Sequence, residues 1–121
     1  MEEDRWKSLE VWKKADELVF RIYELTKRFP KEELYGLTSQ IRRASLFIPT
    51  NIVEGYARKG DKELARFVGI SLGSLSETKY LVHFAGRLGF LEGSDLEDIR
   101  LECDLLGKQL WKFYEKVRDN P

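Results

Sequence analysis

The most informative stretch of this chain is residues 40–58, Gln40-Ile41-Arg42-Arg43-Ala44-Ser45-Leu46-Phe47-Ile48-Pro49-Thr50-Asn51-Ile52-Val53-Glu54-Gly55-Tyr56-Ala57-Arg58. The stretch has helical periodicity, yet it contains an internal proline and no charged residue between Arg43 and Glu54. An outer bundle helix normally shows a continuous charged face, and a helix that is apolar almost all round is buried almost all round. We therefore expect this helix to be covered by its own bundle and by a neighbouring subunit.

The flanking sequence predicts three more helices and no strands. Apolar residues recur at helical spacing, glycine and proline fall between the long periodic segments, and no period-2 alternation is sustained. The predicted helices span about 8–28, 37–58, 62–87 and 95–118, with Ser8, Asp61 and a Ser94–Glu97 capping box at three of the starts. Long helices with short links predict an all-α, antiparallel up-down-up-down four-helix bundle in a single domain.

The composition of the chain indicates its cellular location. The chain has 121 residues and balanced charge, with 21 basic and 21 acidic side chains. Its single cysteine, Cys103, excludes an internal disulfide framework and favours a cytoplasmic location. The acidic start, residues 1–4, lacks the basic region of a secretory signal. The least charged stretch, residues 67–86, still contains charged side chains, so we expect no membrane partner.

Three small or unusual residues raise the question of what covers the middle helices. Pro49 removes a helical hydrogen bond and clashes with the carbonyl group of Ser45, at a cost of about 3 kcal/mol. A kink there either wraps the helix around its own core or shapes a surface between subunits. Gly69 and Gly73 permit the close approach of another helix, from the same bundle or from another copy.

Several polar residues accompany these positions, and buried polar groups need partners. We expect Arg42, Arg43 or Arg58 to supply them, and we favour a structural polar network over a catalytic pair of Glu54 and Glu77. The candidates for an oligomer interface or a buried polar network are Gln40, Phe47, Pro49, Asn51, Glu54, Gly69, Gly73, Ser74 and Glu77.

The sequence lacks the motifs of a di-iron site and of a phosphate-binding loop. The only histidine, His83, follows Tyr80 by three residues, so no Glu-x-x-His pair is present for a di-iron site. Cys103 lies in the apolar seam of the fourth helix, and the Gly69–Gly73 segment lacks the lysine of a phosphate-binding loop. We expect no metal, no cofactor and no enzymatic activity.

A basic cluster is the best candidate for binding nucleic acid. Residues 31–60 hold 5 basic and 3 acidic side chains, and residues 61–90 hold 4 and 3, a local excess of +3. The cluster either contacts phosphates or is an ordinary solvated surface. Its members are Arg42, Arg43, Arg58, Lys59, Lys62 and Arg66.

Several motifs together resemble one protein family. They are Leu9-Glu10-Val11-Trp12-Lys13-Lys14-Ala15, Tyr35-Gly36-Leu37-Thr38-Ser39-Gln40-Ile41-Arg42-Arg43-Ala44, Ile48-Pro49-Thr50-Asn51-Ile52-Val53-Glu54-Gly55 and Gly73-Ser74-Leu75-Ser76-Glu77. In this order they resemble the four-helix bundle proteins encoded in intervening sequences of bacterial 23S rRNA genes. Relatives of that family include the accessory variability determinant of diversity-generating retroelements.

The resemblance implies a ring-shaped homopentamer. The retroelement relatives are basic, bind nucleic acid and associate with a reverse transcriptase, whereas this chain has zero net charge. Our leading hypothesis is a non-enzymatic homo-oligomeric bundle that acts as an accessory or scaffold for a nucleic-acid-handling partner. The alternatives are direct RNA or DNA binding through the basic cluster, and a structural bundle with no nucleic-acid role.

Overall fold

Four long helices make up most of the computed structural model, which describes residues 4–120; Met1–Glu3 and Pro121 lie outside these residues. The helices are α1 (Glu10–Thr26), α2 (Leu37–Ala57), α3 (Asp61–Arg87) and α4 (Gly93–Arg118). Short 3-10 helices, Arg5–Ser8 and Lys31–Glu33, precede α1 and α2, and residues 4–120 contain no strand. Consecutive helices pack together and α1 packs against α4, which confirms the predicted four-helix bundle.

The predicted N-terminal caps are wrong. Leu9, Gly60 and Glu92 occupy the N-cap positions of α1, α3 and α4, and none of them makes a side-chain cap bond. The Ser8 hydroxyl instead donates to the Arg5 carbonyl group within the first 3-10 helix, so α1 begins at Glu10. A serine can satisfy its hydroxyl in a preceding turn as well as at a helix start, which explains the misplaced boundary.

The start of α2 uses a side chain from outside the helix. The Leu37 N–H donates to the Glu33 carboxylate over 3.0 Å, and Gly36 lies between them. A β carbon on Gly36 would lie 2.9 Å from the Glu33 Oε1 atom, so glycine leaves room for this contact. The carboxylate satisfies one of the N–H groups that every helix start leaves unpaired.

One apolar core runs along the bundle axis. Each helix contributes aliphatic side chains at three- and four-residue spacing, and burying one such side chain contributes about 1.5–3 kcal/mol. The largest side chains that are almost completely buried are Leu18, Ile22, Ile41, Ile48, Ile52, Val68, Val82, Ile99, Leu106 and Leu110.

The boundary between α2 and α3 is especially close near Gly55. A β carbon at this position would lie 2.8 Å from the Leu64 Cδ1 atom and 3.1 Å from the Phe67 Cβ atom. The buried Ser71 hydroxyl also donates to the carbonyl group of Ile48 across the boundary. Gly60, with φ of +86°, makes the turn between the two helices, a backbone conformation that glycine adopts easily.

The boundary between α1 and α4 is crossed by ion pairs. Arg21 Nη1 lies 3.5 Å from a Glu102 carboxylate oxygen, and Arg28 Nη2 lies 2.8 Å from Asp95 Oδ2. All four side chains are partly or largely exposed, so these pairs stabilise the bundle only modestly.

Pro49 does not interrupt α2, which is continuous from Leu37 to Ala57. Its side chain is buried by the chain itself. Pro49 follows Arg42 by seven residues and therefore shares its side of the helix, where the Arg42 guanidinium reaches α1. The position of Pro49 favours a role within the bundle over a surface between subunits.

A pair of tryptophans attaches the N-terminal 3-10 helix to the bundle. The rings of Trp6 and Trp12 have centroids 4.7 Å apart at an angle of 59°. The Arg5 guanidinium lies 5.7 Å from the centroid of the Tyr56 ring on α2. The segment before α1 therefore contacts both α1 and α2.

Candidate interaction surfaces

The outer side of α2 and α3 carries aromatic and aliphatic side chains that the chain leaves uncovered. Gln40 Nε2 donates to the Glu77 carboxylate over 3.3 Å, which places the two residues side by side across the helix boundary. Ile70 and Phe84 lie seven residues before and after Glu77, and therefore on the same side of α3. We call Gln40, Arg43, Phe47, Ile70, Glu77, Tyr80 and Phe84 the α2/α3 outer face.

Exposure on this face is high for apolar residues. Phe47 is 41% exposed, Ile70 43%, Tyr80 60% and Phe84 36%. The Tyr80 and Phe84 rings stack with centroids 6.3 Å apart. A single chain therefore leaves part of α2 uncovered, and the cover that we expect from a neighbouring subunit stays a prediction. Several exposed apolar side chains on one face commonly mark an interaction site.

The candidate polar residues do not join into one network among residues 4–120. The Asn51 side chain donates to the Phe47 carbonyl group of its own helix over 2.7 Å. Glu54 is exposed, and its carboxylate lies 3.7 Å from the guanidinium of Arg58, which is one of the partners that we expected. Ser74 is buried within the α3 packing, and its carbonyl group accepts the Thr78 hydroxyl.

The two candidate glycines of α3, Gly69 and Gly73, lie toward α4. A β carbon on Gly69 would lie 3.6 Å from the Tyr114 ring, an ordinary contact, so this glycine serves packing within the bundle. Gly73 has no atom within 4 Å of such a β carbon. It lines an open groove of about 650 Å³ between α3 and α4, beside Gly107 and Trp111.

The six basic residues do not form one cluster. The Arg42 guanidinium turns to α1, where Nε donates to the Thr26 hydroxyl over 2.8 Å and the group lies 4.8 Å from the Tyr23 ring centroid. Arg43 instead lies over the Phe47 ring at 5.3 Å, on the α2/α3 outer face. Arg42 and Arg43 are adjacent in sequence, but their side chains lie on different sides of α2.

Arg58 and Arg66 do come together, because both guanidinium groups lie over the Phe67 ring, at 5.1 Å and 4.6 Å from its centroid. Glu63 accepts hydrogen bonds from Arg66, and this contact lowers the pKa of the Glu63 carboxyl. Lys59 and Lys62 are exposed on the same turn between α2 and α3. We call Arg58, Lys59, Lys62 and Arg66 the basic turn.

Residues with possible catalytic chemistry lie apart from one another. Glu54 lies fourteen residues after Gln40, about 21 Å along α2 from the residue that contacts Glu77. Burial raises the pKa of the Cys103 thiol to about 12, which keeps it protonated at neutral pH. His83 is exposed, and no group of three His, Cys, Asp or Glu residues suited to a metal occurs within residues 4–120.

Between residues 4 and 120, no helix combines the length and the hydropathy needed to span a bilayer.

Comparisons with known proteins agree with the sequence motifs. A crystal structure from Bacteroides thetaiotaomicron, of a protein with unknown function from the S23 ribosomal protein family, superposes with a TM-score of 0.76 and 21% identity. The similarity covers 86% of this chain and 97% of that one, and it shows a shared fold. No curated protein sequence matches the chain. The family model described as 23S rRNA-intervening sequence protein matches residues 7–112, so the chain belongs to this family, as its motifs predicted.

Proposed function

We propose that this protein is a non-enzymatic, homo-oligomeric bundle in the cytoplasm that serves as an accessory or scaffold for a nucleic-acid-handling partner, such as the reverse transcriptase of a retroelement. The observation that carries the oligomer is the α2/α3 outer face. Its four apolar side chains, Phe47, Ile70, Tyr80 and Phe84, are all at least one third exposed in the single chain. Burying them against a second copy removes apolar surface from water.

A ring is the assembly that suits this face. One copy's α2/α3 outer face meeting a different surface of the next copy makes a heterologous contact, and such contacts close into rings when the rotation permits. The groove lined by Gly73, Gly107 and Trp111 is a suitable second surface, because its small residues admit a neighbour's side chains. We propose five copies per ring, on the basis of the family resemblance.

Light scattering coupled to size-exclusion chromatography tests the oligomer. We expect the wild-type chain to elute as a homo-oligomer, and Tyr80→Glu to shift it toward the monomer by placing a charge in the contact. Phe20→Glu is the matched control, because Phe20 is 68% exposed on α1, outside the α2/α3 outer face. A wild-type monomer at micromolar concentration would refute the proposal.

Absence of catalysis is the second part of the proposal. The separation of Glu54 from Glu77 argues against an acid–base pair, since such a pair must share one substrate. Both carboxylates also have partners on the surface, Arg58 and Gln40. A structural role for the two carboxylates is sufficient to account for these contacts.

Direct binding of RNA or DNA is the second candidate function. It is favoured by the basic turn, where Phe67 holds two guanidinium groups at one place. Arginine and lysine side chains contact phosphates, and such binding weakens with salt. Glu54 and Glu63 offset part of the charge, which makes moderate affinity the expectation.

Titration with labelled RNA and DNA at several salt concentrations tests this candidate. We expect Arg58→Ala with Arg66→Ala to weaken binding, whereas Arg87→Ala at the far end of α3 should not. No binding even at low salt would leave a structural bundle without a nucleic-acid role as the better description.

A further inference from the structure

A cavity of about 590 Å³ opens at the end of the bundle where α2 and α4 end and α3 begins. The N-terminal 3-10 helix contributes Arg5 to its wall, and α4 contributes Lys116. Its volume lies within the range of about 300–1,000 Å³ that is typical of small-molecule sites. The cavity is separate from the α2/α3 outer face and shares only Arg58 with the basic turn.

The charge around this cavity is predominantly positive. Of the residues that the structure describes, Arg5, Arg58 and Lys116 line it, and Asp61 is the single acidic residue in its wall. The Asp61 carboxylate already accepts a hydrogen bond from the Asn120 side chain. Among residues 4–120, neither Arg5 nor Lys116 is in an ion pair, so both cations are available to an anion. These two cations, beside Arg58 in its pair with Glu54, favour an anionic ligand.

The inner wall of the cavity is apolar and aromatic. Leu64 and Val117 are buried there, and Tyr56 and Phe113 are partly buried. The Arg5 guanidinium lies 5.7 Å from the centroid of the Tyr56 ring, and aromatic rings and arginine side chains are the groups on which unpaired bases stack. The cavity thus combines a place for a planar ring with a cationic rim for a phosphate.

We infer that this end cavity binds a nucleotide that carries a terminal phosphate, with its base against the Tyr56 and Phe113 side and its phosphate between Arg5 and Lys116. The inference rests on the proposed nucleic-acid role in one respect, since it takes the end of a single strand as the natural source of that nucleotide. The site recognises the end of a strand, whereas the basic turn contacts phosphates along it.

Binding measurements on the full chain separate the two sources of ligand. Isothermal titration calorimetry compares adenosine 5′-monophosphate with adenosine. Fluorescence anisotropy compares labelled single strands with and without a terminal phosphate, at the 5′ or the 3′ end. We expect the phosphate to raise affinity at least about tenfold in both comparisons, as a charge-assisted contact does.

Lys116→Ala should remove most of this phosphate preference. Lys112→Ala is the matched control, because Lys112 lies one turn earlier on α4, is exposed and does not line the cavity. Arg5→Ala gives a second variant from a different element, and circular dichroism checks that each variant is folded.

Equal affinity for ligands with and without phosphate, or equal effects of Lys116→Ala and Lys112→Ala, would overturn the inference. If strands bind with no preference for a terminal phosphate, the cavity inference fails while the nucleic-acid role stands. If the free mononucleotide binds in a Lys116-dependent way but strands do not, the cavity inference is supported and the nucleic-acid role fails.

Discussion

On the α2/α3 side of the bundle, the Gly55 backbone meets side chains of α3 directly and the Ser71 hydroxyl donates to a carbonyl group of α2, whereas on the α1/α4 side ion pairs cross the helix boundary. The outer surfaces differ in the same sense. The α2/α3 outer face exposes Phe47, Ile70, Tyr80 and Phe84, whereas Phe20 on α1 and Leu101 and Leu105 on α4, which are also exposed, have charged residues three or four positions away on their helices. Helices that pack closely and still expose apolar side chains can bury those side chains against another protein, whereas charged side chains on an exterior stay hydrated.

The strongest test of the α2/α3 side is Gly55→Val. The added side chain would overlap with Leu64 and Phe67, so we expect the free energy of unfolding to fall by about 3 kcal/mol. Urea denaturation followed by circular dichroism measures the change. Gly73→Val is the matched control, because its β carbon meets no atom within 4 Å. Equal losses in the two variants would show that the α2/α3 boundary is not specially close.

Thr26→Val tests the contact that joins α1 to α2. The Thr26 hydroxyl accepts a hydrogen bond from Arg42 and donates to the Ile22 carbonyl group, and valine has a similar shape but no hydroxyl. Leaving the Arg42 guanidinium without this acceptor should cost about 2 kcal/mol of unfolding free energy.

Thermal and urea denaturation of the variant are compared with Thr50→Val. The exposed Thr50 hydroxyl bonds only to the Leu46 carbonyl group of its own helix, so this control should change little. A Thr26→Val variant as stable as wild type would mean that Arg42 is equally well hydrated without the contact.

Arg28→Ala measures how much an ion pair stabilises the α1/α4 side. The Arg28–Asp95 distance is only 2.8 Å, but Arg28 is largely exposed and Asp95 partly exposed, so we expect a loss below about 1 kcal/mol. A double-mutant cycle with Asp95→Ala isolates the pair energy from other effects of each substitution. A coupling of 2 kcal/mol or more, on the order of a buried pair, would contradict our distinction between the two sides.

The smallest expected effect is a pH dependence at Glu102. Burial raises the pKa of the Glu102 carboxyl above its ordinary value of 4.5, although Arg21 acts in the opposite direction. A raised pKa in the folded state gives stability that is present in acid and lost as pH rises through that pKa. The stability of Glu102→Gln relative to wild type should therefore increase from acid to neutral pH. Urea denaturation across this range measures the difference, and a decrease would refute the assigned direction.

Much of the fold follows from the spacing of apolar residues. Ile41, Ile48 and Ile52 share one stripe of the predicted second helix, and all three lie in the core. Helix starts were less predictable, because capping depends on which nearby carbonyl or amide groups are already bonded. The Glu33 contact to the Leu37 N–H comes from outside the helix, and no local motif we used identifies it.

The candidate sites were predicted only in part. Arg58 and Arg66 meet on Phe67, as their nearness to the turn suggested, but Arg42 faces α1. Its position seven residues before the buried Pro49 was a signal that could have separated it from the cluster. Asn51 satisfies its side chain on its own helix, a common outcome for short polar residues, so it needed no network.

The Trp6–Trp12 pair gives the N-terminal segment a spectroscopic signal of its own. Two indole rings held 4.7 Å apart at a fixed tilt couple their electronic transitions and give a near-ultraviolet circular dichroism band. The part of that band that Trp6 and Trp12 contribute, beside the Trp111–Tyr114 pair, reports whether the N-terminal segment is docked, independently of the helical signal of the rest of the chain. Because the same segment places Arg5 at the end cavity, the band offers a label-free readout of that cavity's wall.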